Sequence, residues 1–180
     1  MSMQYQPVLN FWFEEITPAD WWKKSEPFDQ LIEQRFADVH RSAIAGELSH
    51  WRVDALGRLA EIIVLDQFSR NIYRDTPKAF SADPLSLALA QEAIAQNYHL
   101  QLTGEQRSFL YMPFMHSESK LIHQTAIEIF ADPDVGNLDF ELKHKAIIDK
   151  FGRYPHRNKI LGRETTAEEL EFLNQPGSSF

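Results

Sequence analysis

At 180 residues, with 43% hydrophobic and 24% charged side chains, the chain is long enough to close one core, and it holds no apolar run able to span a bilayer. Its formal net charge of −8 argues against the broad basic face of a general nucleic-acid binder, so neither nucleic acid nor membrane is an expected partner. With no cysteine, disulfides, thiolate catalysis and cysteine-held metals are excluded, and a reducing cytoplasm is the expected location.

One all-helical domain over residues 1–180 is expected, with residues 175–180 as a frayed tail. The start, Met1-Ser-Met-Gln-Tyr-Gln-Pro-Val8, lacks the basic residues and cleavage site of a secretory signal. Residues 8–14 form a short apolar helix. Thr17-Pro18-Ala19-Asp20 is a cap with proline at the first helical position. The next helix runs from about residue 27 to Gly46, with Phe28, Leu31, Ile32, Phe36, Val39 and Ala43 in helical rhythm. Residues 53–73 follow as a buried, central helix. Asp83-Pro84 opens another that ends near Asn97, and Thr103-Gly-Glu-Gln106 has capping-box spacing. Pro113 predicts a kink or break, after which helix continues to Phe130. A loop at 132–137 leads to a helix over 140–151, stopped by Gly152, and Thr165-Thr166 caps a last helix ending near Leu173. Short connections imply antiparallel neighbours, about seven to nine helices in all.

Several polar side chains fall where apolar ones belong. At 100° per residue, Asp66, Arg70 and Tyr73 share a face with Leu59, Ile62 and Ile63. Asp66 and Arg70 are thus an i, i+4 pair that is either a structural salt bridge or the edge of a polar cleft. His144 lies on an apolar face with Ile147, Ile148 and Phe151, as a core histidine or a ligand contact. His116 and Glu118 follow Pro113 at a spacing that does not make a metal pair on a regular helix. Arg70-Asn71 and Arg157-Asn158 repeat an Arg-Asn dipeptide near helix ends, where the planar arginine fork suits carboxylate or phosphate. From Lys143 to Arg163 the chain carries seven basic residues and one acid, so that window is +6 while the rest is −14. A sign reversal on a loop shaped by Gly152, Pro155 and Gly162 suits an anion-binding edge, or a set of clamps tying the loop to helix ends. No glycine-rich phosphate loop, nucleophile elbow or zinc motif is present, and the acidic loop at 132–139 fails the calcium pattern. No metal or cofactor is expected.

Three blocks resemble the bacterial family known as domain of unknown function 924. They are Leu65-Asp-Gln-Phe-Ser-Arg-Asn-Ile-Tyr-Arg74, Arg107-Ser-Phe-Leu-Tyr-Met-Pro-Phe-Met-His-Ser-Glu118, and His144-Lys-Ala-Ile-Ile-Asp-Lys-Phe-Gly-Arg-Tyr-Pro-His-Arg-Asn158 with Leu161-Gly-Arg163. The resemblance implies an all-α fold of helix pairs in a right-handed array similar to tetratricopeptide repeats. It brings no activity. The chain departs from the family pattern at Ser119, where an acid is usual, and at Thr165, where the capping hydroxyl is kept.

Three functions compete. The first is a scaffold that binds an anionic small molecule or the acidic group of a peptide. Its groove would be lined by Arg70, Asn71, Arg74, Arg153, His156, Arg157, Asn158 and Arg163. The second is an enzyme in which Asp66, His116, Glu118, His144 or His156 supplies acid and base while arginines stabilise charge. The third is a structural or oligomerising module in which the same blocks are buried clamps. Oligomeric state is open in all three.

Overall fold

The structure, a computed structural model, describes residues 3–179. It is all-α, and no strand occurs among the described residues. The chain starts with α1 (Gln6–Asn10), which widens directly into a π turn at Phe11–Glu15. Helix α2 (Pro18–Trp21) is one turn long and closed by a Thr17–Asp20 capping box. Helix α3 (Glu26–Ile44) is the long amphipathic helix of the sequence pattern, with Ile32, Phe36, His40 and Ala43 buried. Gly46 behind it has φ +73°, a left-handed conformation that suits glycine.

The expected central helix is present but not regular. It comprises a 3-10 turn (Ser49–Val53), α4 (Ala55–Ile63), a π turn (Val64–Phe68) and α5 (Ser69–Ile72). Every residue from 57 to 69 is buried. Gly57 allows the Trp51 carbonyl oxygen to approach where a Cβ would sit 1.9 Å away.

A 3-10 turn (Pro77–Phe80) leads into α6 (Asp83–Ala95), and another (Tyr98–Gln101) leads into α7 (Gly104–Met115). The predicted Thr103–Gln106 capping box is formed. Pro113 does not interrupt α7, which runs two residues beyond it. The break comes at His116–Ser119, before α8 (Lys120–Phe130). Helix α9 (Leu138–Phe151) ends at Gly152, φ +70°, and a 3-10 turn (Pro155–Arg157) precedes α10 (Ala167–Leu173) with its Thr166–Glu169 capping box. In the tail expected to fray, Ser178 is buried and its hydroxyl donates to the Leu173 carbonyl, while Phe180 lies outside the described residues.

Helix α4 packs against α6 and α7, α3 packs against α5, and α7, α8 and α9 pack in succession. The core is aromatic where the N-terminal segment enters it. Phe36 lies tilted against Phe68 at 4.9 Å between ring centres, and Trp12 meets Phe109 edge-on at 5.5 Å. This N-terminal plug carries Trp21 and Trp22 to the end of α5 and α7, where the site lies. No described helix is long and apolar enough to cross a membrane.

Candidate functional site

A cavity of about 540 Å³ opens between the Trp21–Lys24 segment, α5, the C-terminal end of α7, the start of α9 and the Pro155–Arg157 turn. Its exposed rim consists of Trp22, Lys23, Lys24, Asp75 and Phe140. Its deeper wall is buried or half-buried and includes Gln67, Met112, Met115, His116, Tyr154 and Arg157.

The π turn sets the deepest polar group. Such wide turns re-aim side chains inside otherwise α-helical segments. Here the turn carries Asp66, which is fully buried and accepts from Arg70 Nη1 (2.8 Å), Gln67 Nε2 (2.8 Å) and His116 Nδ1 (2.7 Å). Burial would push the Asp66 carboxyl up, but the His116 and Arg70 partners outweigh it and bring the group to about 2. Burial, joined by the Arg70 charge, pulls His116 below its ordinary value despite Asp66. At neutral pH the pair is therefore an ionised carboxylate and a neutral imidazole that carries its proton on Nδ1.

Arg70 reaches further. Its Nη1 and Nη2 also donate to Asp83 Oδ1 and Oδ2 at 2.8 and 3.0 Å, a bidentate fork. Arg157 shares Asp83 (3.4 Å) and donates from Nη2 to the His116 carbonyl at 2.9 Å. Its guanidinium lies between Phe80 and Tyr154, 4.5 and 4.7 Å from the ring centres. Arg157 Nε is buried without a hydrogen-bond partner among the described residues. Arg74 and Asn71 both donate to Asp29, at 2.5 Å from Arg74 Nε and 2.7 Å from Asn71 Nδ2. A second, smaller cavity lies on the other side of Phe80, His116 and Arg157, and includes Glu118.

His144 and His156 complete the large cavity. His144 donates from Nδ1 to the Phe140 carbonyl at 2.7 Å. Burial drives His144 to about 3, and burial with the Arg157 and Lys24 charges drives His156 to about 4. In the unfolded chain both return to the ordinary 6.5, so the unfolded state binds more protons below that value. Stability from these two groups is complete above pH 6.5 and is lost as pH falls from 6.5 toward 4 and 3. Each pH unit in that window is worth up to about 1.4 kcal/mol per histidine. Urea midpoints should fall between pH 7 and pH 5, before carboxylates titrate. A His144→Phe, His156→Phe pair that left the slope unchanged would remove these groups as its cause.

The structure divides the predicted residues into two sets. Arg70, Asn71, Arg74, His116, His144, His156 and Arg157 line the cavity, with Asp66 immediately behind. Glu118, Arg153, Asn158 and Arg163 do not line it. Glu118 receives both guanidinium nitrogens of Arg163 (2.8 and 2.9 Å) and the Tyr154 N–H (2.7 Å). Arg153 forks onto Glu169 at 2.7 and 2.9 Å, and Asn158 joins Glu169 to Arg163. This is a clamp, and it corrects the picture of one continuous basic edge. In the +6 window, Lys145, Lys150, Arg153, Arg157 and Arg163 all meet acids, so most of its charge is already compensated. Lys23, Lys24 and Asp83 were not singled out from sequence. The Trp22-Lys23-Lys24 run was the available signal for the first two, and the Asp83 link to Arg70 and Arg157 requires tertiary structure.

These features define a helical protein with a basic-rimmed, aromatic-walled cavity that holds an Asp–His pair at its base. The chain belongs to the DUF924 family, described as bacterial proteins of unknown function, whose model matches residues 8–177. It is similar to the solved structure of ATU0120, a protein of unknown function from Agrobacterium tumefaciens. The two are 36% identical with TM-score 0.90, over 94% of this chain and 96% of that one. Among curated proteins, no match was found.

Proposed function

We propose that this protein binds an anionic small molecule with an apolar body in the large cavity. The observation that carries this reading is the pair of rim lysines. No carboxylate lies within ion-pair distance of Lys23 or Lys24 among the described residues, whereas every arginine of the cavity is already paired. Lys23, Lys24, Arg70, Arg74 and Arg157 stand against Asp20, Asp29, Asp66, Asp75 and Asp83, so the surrounding charge is balanced while the two lysines stay outside any ion pair. Lysine ammoniums in a balanced surrounding suit a monoanion such as a carboxylate better than a phosphate dianion. The walls of Trp21, Trp22, Phe80, Met112 and Phe140 suit an aryl or aliphatic body, and the volume is that of a small-molecule site. A tetratricopeptide-like array of helix pairs is the expected frame, and the consecutive packing of α6 to α9 is consistent with it.

A thermal-shift series with aryl and medium-chain carboxylates at low salt tests this. At about 100 times its dissociation constant a ligand adds roughly 2.7 kcal/mol, a rise of roughly 5–10 °C for a chain of this size. The shift should shrink with salt and in Lys23→Ala, Lys24→Ala protein. Shifts that ignore both changes would count against the carboxylate at the rim.

A further inference from the structure

The Asp66–His116 pair is more than the salt bridge requires. Asp66 already has Arg70 and Gln67 as donors, so its charge is compensated without the imidazole. His116 is nevertheless held twice. Its side chain donates from Nδ1 to Asp66, and its carbonyl accepts from Arg157. With Nδ1–H committed to a carboxylate, Nε2 carries the lone pair. Among the described residues nothing hydrogen-bonds Nε2, and the His116 side chain keeps 17% exposure where it stands between the two cavities and lines both. The result is a fixed base with a buried orienting acid behind it and open space in front.

The surrounding groups narrow the chemistry. Among the described residues no serine or threonine lines the large cavity, and the chain has no cysteine, so the cavity offers His116 no aliphatic hydroxyl or thiol to activate and water is the nucleophile open to it. Arg70 shares Asp66 with His116 and lines the same wall. Its Nε–H has no acceptor among the described residues and keeps some exposure. That donor is available to charge developing on a neighbouring oxygen.

We propose that the cavity is a hydrolytic site, in which His116 Nε2 activates water against the ester carbonyl of a substrate that also bears a carboxylate. This rests on the reading that the cavity holds an apolar monoanion. His116 Nε2 takes a proton from water as the water oxygen adds to the carbonyl carbon, and the C=O π pair moves to oxygen beside Arg70. Collapse of the adduct breaks the bond to the alkoxy oxygen, which leaves with the proton held on Nε2. The products are an alcohol and a carboxylic acid, which ionises to solvent. His116 is the catalytic residue, and Asp66 is a positioning residue that sets its tautomer.

The test uses full-length protein and mono-4-nitrophenyl glutarate, an aryl ester with a free carboxylate. The neutral ester 4-nitrophenyl butyrate is the control, and glutarate mono-4-nitroanilide is the binding probe. Saturable release of 4-nitrophenolate is expected, faster for the acidic ester. His116→Ala and His116→Gln should each lower kcat by about 10²-fold or more while the anilide still binds, and imidazole should restore part of the rate to His116→Ala. Asp66→Asn should lower kcat at unchanged KM. Using two substitutions at 116 guards against one that fails to fold. Unchanged turnover in both variants, or no rescue by imidazole, overturns the proposal. Anilide binding without ester turnover overturns hydrolysis alone, whereas no anilide binding overturns the monoanion reading as well.

Discussion

Replacing Trp12 by alanine is expected to lower the unfolding free energy by about 3–5 kcal/mol, the range for deleting a buried large aromatic side chain. Trp12 is fully buried and sits in a box of rings: Phe109 at 5.5 Å, Phe68 at 5.7 Å and Trp21 at 6.3 Å between centres. Alanine would leave most of that space empty. Trp12 also acts through its backbone, because its carbonyl accepts the Trp21 indole N–H at 2.9 Å and so fixes a wall of the cavity. Trp12→Phe should cost much less. It keeps most of the ring volume and removes an indole N–H that is buried without an acceptor. Urea unfolding of the two variants decides the matter. A loss under about 1 kcal/mol for Trp12→Ala would mean that the plug is not part of the cooperative core.

His123→Ala is the second large effect, again about 3–5 kcal/mol, a fall in Tm of roughly 6–20 °C for a chain of this size. His123 and Glu141 are both fully buried, with Nδ1 2.6 Å from Glu141 Oε1. His123 Nε2 donates to the Ser117 carbonyl at 2.8 Å, and a carbonyl can only accept. Nε2 and Nδ1 are thus both engaged, one by the Ser117 carbonyl and the other by the carboxylate. Glu141 Oε2 already lacks a partner among the described residues, so removing the imidazole strands the whole group in the core between α8 and α9. Replacing both residues by leucine should recover most of the loss, since an apolar pair of similar volume avoids the burial penalty. Independent, additive losses in the double-mutant cycle would show that the two side chains do not act as a unit.

The helices were legible where a local signal ends them. Thr103 with Gln106, Thr166 with Glu169, and Gly152 act within one turn of themselves, and each does in the structure what its residue type does in a short peptide. The π turns were not legible. Residues 57–69 are buried on every side, so there is no polar face against which one extra residue in a turn would register as a slip in rhythm. The Asp66–Arg70 pair was visible because i, i+4 spacing survives the wide turn. The balance of charge was not. The acids that answer Arg163 and Arg157 lie 45 and 74 residues away, at Glu118 and Asp83, and nothing local to residues 143–163 announces them. Read in isolation, that stretch looks like an anion edge. In the fold, much of it is a clamp, and among the described residues the rim cations outside any ion pair are Lys23 and Lys24, from the other end of the chain.

The wide turn at Val64–Phe68 also bears on how this chain should be lined up with its relatives. A π turn is one residue longer than the α turn it replaces, so a relative without it has one position fewer between Leu59 and Arg70 while keeping the same apolar composition. Placing that gap on either side of residue 66 matches a different amino acid to the base of the cavity. Between such proteins the acid is identified by its contact with the residue after α7, not by counting along the helix.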